Sequence, residues 1–489
     1  MKKRSLSWSR RLIAGVVFGL FFLAFALPIM PASHIARWQI GPALLGGGFV
    51  FLGAAALATL CLGRVYCAAF CPLGITQDLL GRVFGKKRRR PLPNHLWARV
   101  AVLGVFAIAL AGGFLFIYGL LDPYSAFGRI CAAIFAPITQ WLNNLLAAGA
   151  EAAGSSAFAR QEIHFAGWPA LLAGLATLVA LAFLVWKLGR VWCNYCPVGT
   201  ALGLLGSRAL FRIQLDPEKC VGCRRCERVC KTGCIDIGNG SLDSSRCVAC
   251  QNCAEICPTE ALAYGKTFMK PNPENRNVSS RRAFLAALAP ALLALRPGSA
   301  KAAANQEINR PDVMPQRRET TSRAIPITPP GSLGVGHFAG HCIGCQLCVA
   351  ACPSNTLSTS LSGAGILQPA LSYEFGYCRP NCVKCGEVCP AGAIAPLTPG
   401  QKARIRFGLA SVDFQRCIVN VDQVACTACQ RICPNGAISL VEVADSAQGL
   451  KRPVVDSAKC TGCGACEYIC AARPLAAITV SGLEAHEQI

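Results

Sequence analysis

The chain has 489 residues, of which 53% are hydrophobic and only 15% are charged, and its formal net charge is +23. This composition excludes an ordinary soluble protein and predicts that part of the chain lies in a lipid bilayer, while the length allows roughly two to four domains. No nucleic-acid-binding module is recognisable, so the basic excess is interpreted as a topology signal and as charge balance for bound anionic clusters.

Four apolar runs predict a helical membrane domain over residues 1–212. Segment 64–99 is rich in Lys and Arg, including the run Lys86–Arg90, whereas segments 34–37 and 122–164 contain few basic residues. The positive-inside rule then places the N-terminus and segment 64–99 in the cytoplasm. The four runs, each predicted to be one transmembrane helix, are Leu12–Met30, Ile40–Leu62, Val100–Leu121 and Pro169–Leu188.

The membrane domain contains an internal repeat. Leu-Gly-Arg-Val-Tyr-Cys at 62–67 matches Leu-Gly-Arg-Val-Trp-Cys at 188–193, and each copy continues into a Cys–Pro motif. Because each copy ends the second helix of a two-helix unit, all their thiols are predicted at the cytoplasmic face. They form a candidate metal, cluster or dithiol site, and packed cysteines at helix ends are the alternative. The candidate residues are Cys67, Cys71, Cys193 and Cys196.

Haem is disfavoured by the positions of the histidines. No Cys-x-x-Cys-His sequence is present, which argues against covalently attached haem. His34 and His164 lie near the predicted outer helix ends and not at mid-membrane, so loop histidines are favoured over haem ligands. Asp122 and Pro123 are interpreted as a helix stop.

Residues 213–265 contain two runs with the spacing C-x2-C-x2-C-x3-C. That spacing is typical of bacterial ferredoxins that bind two [4Fe–4S] clusters, where the fourth cysteine of each run ligates the other cluster. A zinc ribbon and a disulfide framework are the alternatives. Lys231 replaces the usual proline, and Cys234 has no predicted role. The predicted sets are Cys220, Cys223, Cys226 and Cys257 for one cluster, and Cys247, Cys250, Cys253 and Cys230 for the other.

Residues 266–336 are predicted to be a linker with an internal export signal. Ser280-Arg-Arg-Ala-Phe-Leu285 resembles a twin-arginine signal, and apolar Ala286–Leu295 and a small-residue site at 300–302 follow it. An ordinary amphipathic or buried helix is the alternative. Since clusters are inserted in the cytoplasm, a cluster-bearing domain must cross the membrane folded, so the C-terminal domain is predicted to be periplasmic.

Residues 337–489 contain four more cysteine groups, which brings the predicted total to six [4Fe–4S] clusters. Nested exchange of fourth ligands is predicted, in which the first group takes Cys470, the fourth Cys352, the second Cys433 and the third Cys389. Cys61 and Cys131 belong to no group. The four groups are Cys342, Cys345, Cys348 and Cys352; Cys378, Cys382, Cys385 and Cys389; Cys417, Cys426, Cys429 and Cys433; and Cys460, Cys463, Cys466 and Cys470.

The chain resembles a fusion of two ferredoxin-type proteins of periplasmic nitrate reductase systems. Residues 1–265 look like the NapH-type membrane protein, and residues 279–489 look like the NapG-type protein with a twin-arginine leader and four clusters. Departures are the shorter spacing Cys193-x2-Cys196 and the missing proline after Cys230 and Cys470.

The resemblance implies a multi-pass inner-membrane protein that relays electrons from the quinol pool to a periplasmic reductase or its cytochrome partner. Another respiratory chain, of the nitrous oxide or amine oxidation type, is an alternative. A maturation factor for a periplasmic metalloenzyme is a further one. The predicted fold class is a four-helix membrane domain, an α+β ferredoxin-like domain with two clusters and a second ferredoxin-like domain with four.

Overall fold

The computed structural model describes residues 2–26, 35–84, 93–155, 158, 160–161, 163, 166–266, 321–360, 365–442 and 449–489. The predicted export signal, most of the linker, Lys86–Arg90, His34 and His164 lie outside these residues. The chain divides into two compact units. The first contains residues 1–139, 171–295 and 343–345, and the second contains 140–170, 296–342 and 346–489.

Helices dominate the N-terminal part of the chain. A π-helical turn at Cys131–Phe135 joins two α-helices into one continuous helical segment, Pro123–Ala152. The α-helices are Lys2–Ala26, Ile40–Leu45, Phe49–Leu62, Val65–Ala69, Pro72–Val83, Leu96–Ala111, Leu115–Leu121, Pro123–Ile130, Ala136–Ala152, Trp168–Leu188, Trp192–Tyr195 and Pro197–Gly206.

The prediction of four membrane-spanning helices is matched only in part. Among the described residues, three helices are long and apolar enough to span a bilayer. The predicted second and third spans are interrupted at Gly47 and Gly113, whose φ angles of 73° and 71° no helical residue adopts. The remaining helix Phe49–Leu62 has 14 residues, which at about 1.5 Å per residue is shorter than a bilayer core. The three candidate spans are Ser7–Phe25, Pro123–Ala152 and Trp168–Leu188.

The segment predicted as the outer loop 122–164 contains one of these three helices. The Asp122 carboxylate accepts a hydrogen bond from the Ser125 backbone N–H at 2.8 Å, and Pro123 occupies the first turn. Asp122–Pro123 therefore ends one helix and also begins the next, as an N-cap with proline at the first position does. Polar residues within the helix, such as Asn144 and Glu151, lower its mean hydropathy and concealed it.

The candidate spans keep large apolar side chains uncovered. On helix Trp168–Leu188, the side chains of Leu172, Val179 and Phe183 are 63%, 58% and 56% exposed. A contiguous apolar surface of this kind is rare on soluble proteins and is typical of a face that contacts lipid.

The first ferredoxin segment is small and pseudo-symmetric. Each cysteine run leads into a five-residue helix, Arg225–Val229 in one half and Asn252–Ile256 in the other. Antiparallel strands close the segment, with Phe211 paired to Lys266 and Leu215 to Leu262. The strand pairs are Phe211–Leu215 with Leu262–Lys266, and Ile235–Asp236 with Ser241–Leu242.

The second unit repeats this pattern and adds a longer hairpin. Its helices are Val335–His341, Leu347–Ala350, Lys384–Val388, Pro399–Lys402, Ile418–Val421, Ala428–Ile432 and Ala465–Ile469, with a 3-10 turn at Phe414–Arg416. Its antiparallel strand pairs are Leu357–Thr359 with Pro369–Leu371, Ile438–Glu442 with Lys451–Val455, and Ile405–Val412 with Ile478–Gln488.

Candidate metal centres

The two membrane Cys–Pro motifs meet around one cavity. The cavity is lined by Cys67, Cys71, Cys193 and Cys196, and each of these side chains is at most 7% exposed. We call these four residues the cysteine cage. The first motif has one more residue between its cysteines, and the short helix Val65–Ala69 accommodates it by being one residue longer than Trp192–Tyr195. The structure therefore brings together the four thiols that the repeat predicts.

Two buried arginines cross between the repeats. Arg64 of the first copy donates to the Cys193 carbonyl at 2.9 Å, and Arg190 of the second copy donates to the Cys67 carbonyl. Arg190 also donates through Nε to the Cys193 sulfur at 3.2 Å, and Arg64 lies 3.8 Å from the Cys67 sulfur. Both guanidinium groups thus place positive charge beside the thiols, where they would stabilise thiolates and an anionic cluster.

Glycine in each Cys–Pro-x-Gly sequence makes room for these arginines. A Cβ on Gly74 would collide with the Arg190 guanidinium, and a Cβ on Gly199 would collide with that of Arg64. The repeated glycine therefore serves close packing of the arginine from the other copy. Arg64 was predicted to act as a cytoplasmic loop charge, but it is fully buried in this contact.

Burial favours the protonated thiol of Cys71 over a free thiolate. Burial raises the pKa of the Cys71 thiol well above its ordinary value, and Cys67, Cys193 and Cys196 raise it further. Iron would reverse this effect, because a coordinating metal replaces the thiol proton.

In the first ferredoxin segment, Cys257 lies with the first cysteine run, as the predicted exchange of the fourth thiolate requires. Cys220, Cys223, Cys226 and Cys257 line one cavity. We call these four residues the distal set.

The second predicted set is also assembled, and we call Cys230, Cys247, Cys250 and Cys253 the proximal set. Cys230, Cys234 and Cys253 lie in one buried cluster, which also contains Cys226 of the distal set and against which Cys247 and Cys257 pack. Burial raises the pKa of Cys253 well above its ordinary value, and the neighbouring Cys250 and Cys230 add to this shift. The proximity of Cys250 and Cys230 to Cys253 agrees with the set that the spacing predicts, and the assignment of Cys247 to it stays a prediction.

The nested wiring predicted for the C-terminal domain is wrong. Cys433 lines one cavity with Cys460, Cys463 and Cys466. Cys352 lines a different cavity with members of the second group. Cys470 lies beside Cys417 and Cys429 of the third group. Each of these three cysteines therefore lies with the neighbouring group and not with the group that nesting requires. The second group's members in that cavity are Cys378, Cys382 and Cys385.

Strand pairing explains why consecutive groups exchange ligands. The strand Ile438–Glu442, which follows the third group, pairs with Lys451–Val455, which leads into the fourth. Leu357–Thr359 and Pro369–Leu371 connect the first and second groups in the same way. Such short-range pairing closes small loops, which costs less conformational entropy than the long closure that nesting requires.

The number and type of side chains at these sites fit iron–sulfur clusters. Four cysteines line each of the four cavities, which is the ligand set of a [4Fe–4S] core with all-cysteine ligation.

Comparisons with protein families agree with this chemistry. A "4Fe-4S binding domain" model matches residues 44–91 and 168–214, which contain the cage. A "4Fe-4S dicluster domain" model matches 219–261 and 424–473, and a second 4Fe-4S binding domain model matches 337–358. No solved structure matches the chain.

Curated relatives carry ferredoxin-type names. The methylamine utilization ferredoxin-type protein MauM of Methylophilus methylotrophus is 36% identical over 150 residues, which cover 29% of this chain and 66% of that protein. Ferredoxin-type protein NapG of Escherichia coli is 32% identical over 165 residues, covering 32% of this chain and 70% of NapG. Ferredoxin-type protein NapF of the same organism is 31% identical over 161 residues, covering 33% and 87%.

The chain belongs to the ferredoxin-type 4Fe–4S proteins. The predictions of iron–sulfur chemistry and of a NapG-like relationship are thereby confirmed. The fusion with a NapH-type membrane protein stays a prediction.

The wiring of this ferredoxin-type protein can be tested by counting iron in paired variants. Cys352→Ala with Cys385→Ala removes two ligands of one cavity, so we expect a loss of about four iron atoms per chain. Cys352→Ala with Cys463→Ala affects two cavities and should remove about eight. Nested wiring requires the reverse result. Iron analysis of the purified full chain distinguishes the two.

Cys234, which had no predicted role, occupies a recurrent position. Its backbone N–H donates to the Cys230 sulfur at 3.4 Å, as the Ala437 N–H does to the Cys433 sulfur at 3.3 Å. Both residues lie four positions after the fourth cysteine of a group. The Cys234 thiol adds a second contact, 3.5 Å from the Cys230 sulfur. The backbone N–H of Cys234 therefore donates to the sulfur of a predicted ligand, and the Cys234 thiol would donate as well once Cys230 is a thiolate.

We expect Cys234→Ala to keep its iron and to make the proximal cluster harder to reduce. The backbone N–H remains, but a thiol donor worth about 0.5–1.5 kcal/mol is lost, which corresponds to a midpoint potential about 20–60 mV more negative. Redox titration followed by electron paramagnetic resonance (EPR) measures this shift. Loss of about four iron atoms would instead identify Cys234 as a ligand.

Several side chains that contact these cysteines were not predicted as site residues from the sequence. Lys402 is 3% exposed and donates to the Cys378 sulfur at 3.2 Å. It also contacts Cys382, which lies 20 residues before it in the sequence. No local pattern marks it. Arg64 and Arg190 did leave a signal, because each stands three residues before a cage cysteine in both copies of the repeat.

Proposed function

We propose that this chain is an iron–sulfur electron relay of the bacterial inner membrane, which carries electrons from the quinol pool to a periplasmic reductase, such as nitrate reductase, or its cytochrome partner. The observation that carries the proposal is the contact between neighbouring cysteine sets within each unit. In the second unit, the Cys378 backbone N–H donates to the Cys463 carbonyl at 3.0 Å. When bound, [4Fe–4S] clusters supply one-electron redox couples.

We assign a role to each domain in chain order. Residues 1–212 hold the membrane domain and the cage, which would bind a further cluster or metal. Residues 213–265 hold two clusters in the cytoplasm, residues 266–336 form the linker with the export signal, and residues 337–489 hold four clusters in the periplasm. Supporting features are the uncovered apolar helices, the basic segment 64–99 and the twin-arginine-like sequence at 280–285.

The orientation is tested separately from the chemistry. Protease added to intact spheroplasts should cleave the C-terminal domain and leave the first ferredoxin segment intact. Protection of both domains would refute the periplasmic placement and leave the relay proposal standing.

Quinol-driven reduction is the direct test of the relay. The purified full chain, oxidised and anaerobic in liposomes, should develop EPR signals of reduced clusters when a quinol analogue is added, and dithionite should add little more. Reduction by dithionite alone would show that quinol is not the donor.

An amine-oxidation chain is the second candidate, since MauM relatives are named for methylamine utilization. A nitrous oxide chain and a maturation factor are the further alternatives. Deletion of the gene separates these roles. A relay defect leaves the partner enzyme with its cofactors but without electrons, whereas a maturation defect leaves it without cofactors. A catalytic reductase encoded next to this gene would identify the acceptor.

A further inference from the structure

Lys231 stands where four other cysteine groups of this chain have proline, at Pro258, Pro353, Pro390 and Pro434. Its ammonium group donates to the Asp78 carboxylate at 2.6 Å, and the two side chains are only 17% and 14% exposed. A lysine adjacent to the ligand Cys230 is thus directed towards the membrane domain.

Asp78 connects this lysine to the cage. It lies on helix Pro72–Val83, which begins immediately after Cys71, and it also pairs with Arg190 at 3.3 Å. Arg190 in turn donates to the Cys193 sulfur. The Asp78 carboxylate therefore connects Arg190, which donates to Cys193 of the cage, with Lys231, which follows Cys230.

Backbone contacts strengthen the same junction. The Arg190 N–H donates to the Lys231 carbonyl at 3.0 Å, and the Asn194 side chain donates to the Thr232 carbonyl at 3.0 Å. On the other side, Arg64 donates to the carbonyl of Ser245 at 3.0 Å, two residues before Cys247. These contacts converge on the two chain segments that carry Cys230 and Cys247, both members of the proximal set.

We propose that Asp78, Lys231 and Arg190 form a polar latch, which docks the first ferredoxin segment on the cage and makes the proximal set its electron partner. The assignment of the proximal set as electron partner rests on the proposed relay function. The docking of the ferredoxin segment on the cage does not depend on that function. The redox event is the transfer of one electron from a reduced centre to an oxidised neighbour, and no bond or proton is exchanged. The latch residues are positioning residues, because they hold the two sets together and bind no iron.

The charges explain why the junction is specific. Two cations and one carboxylate are desolvated together, and such groups are stable in a buried place only while they remain paired. Removing the Lys231 charge leaves Asp78 with Arg190 alone and removes one link to the ferredoxin segment. Removing Asp78 leaves two like charges facing each other.

Hydrogen–deuterium exchange of the full chain in detergent tests the latch. In Lys231→Met and in Lys231→Pro, we expect amide exchange in segments 189–196 and 230–234 to rise at least tenfold. Lys231→Pro restores the residue found after Cys257, so it should keep the ferredoxin segment and its iron intact. Lys231→Arg retains the charge and should exchange like the parent chain.

Lys219→Met is the matched control, since Lys219 precedes Cys220 of the distal set but forms an exposed pair with Asp216 at 2.8 Å. It should leave exchange unchanged. If Lys231→Met and Lys231→Pro behave like Lys219→Met, the latch is refuted.

A second measurement separates this proposal from the relay proposal. With the latch broken, quinol-driven reduction of the ferredoxin clusters should slow at least tenfold, while dithionite still reduces them fully. If quinol fails to reduce even the parent chain, the relay proposal fails, and the exchange experiment still decides the docking. Unchanged quinol-driven reduction in variants that have lost protection would overturn the electron-partner assignment.

Discussion

Replacing Cys67 and Cys193 together by alanine should remove about four iron atoms per chain and abolish quinol-driven reduction of the ferredoxin clusters. The two thiols come from different copies of the repeat and line the same cavity, so their loss leaves a cluster with only half of its ligands. It also leaves the buried guanidinium groups of Arg64 and Arg190 without thiolate partners, which destabilises the site further.

Iron analysis and EPR spectra measure this effect. The signals of the clusters in the two ferredoxin-like domains should persist under dithionite, which shows that the variant has folded. Cys61→Ala is the matched control, because Cys61 lies six residues before Cys67, does not line the cavity and should change neither iron nor reduction. An unchanged iron content and an unchanged quinol-driven reduction in the double variant would show that the four cage cysteines are only packed at helix ends and bind no metal.

Lys402→Met should make the cluster of Cys352, Cys378, Cys382 and Cys385 harder to reduce. The buried ammonium group donates to the Cys378 sulfur at 3.2 Å and to the carbonyls of Arg379 and Cys382 at 2.6 and 2.7 Å. A charge-assisted hydrogen bond is worth about 1.5–3 kcal/mol, which corresponds to a midpoint potential about 60–130 mV more negative for a one-electron couple. Reduction adds negative charge, so the cation stabilises the reduced state more than the oxidised state.

A redox titration of the second ferredoxin-like domain within the full chain provides the measurement. Lys459→Met is the control, since Lys459 precedes the ligand Cys460 but forms an exposed pair with Asp456 at 3.1 Å. Exposed pairs contribute little, so its effect should be small. Equal shifts in both variants would show that the overall charge matters and not the hydrogen bond.

The iron–sulfur chemistry could be predicted from the sequence because it depends on local spacing. Cysteines two and three residues apart reach one cluster from a single turn and short helix, and this requires no knowledge of the rest of the fold. The same holds for the cage, since the repeat places Cys67 and Cys193 at equivalent positions. The ferredoxin pairing of Cys257 with the distal set also followed from the motif.

Features that depend on contacts between distant segments could be obtained only from the tertiary structure. Spacing does not specify whether Cys352 joins the second or the fourth group, and the pairing of neighbouring strands settled it. A hydropathy pattern does not reveal the helix breaks at Gly47 and Gly113, so the described residues contain three candidate spans where the sequence predicts four.

Charged residues show the same limit. From the sequence, Arg64 and Lys231 are cationic residues close to cysteines in the chain, and Lys231 is distinguished only by replacing the usual proline. Only the fold brings Asp78 within 2.6 Å of Lys231 and Arg64 within 2.9 Å of the Cys193 carbonyl. The cysteines of one run are brought together by short-range chain geometry, whereas these partners of Arg64 and Lys231 lie more than a hundred residues away and depend on how the chain packs.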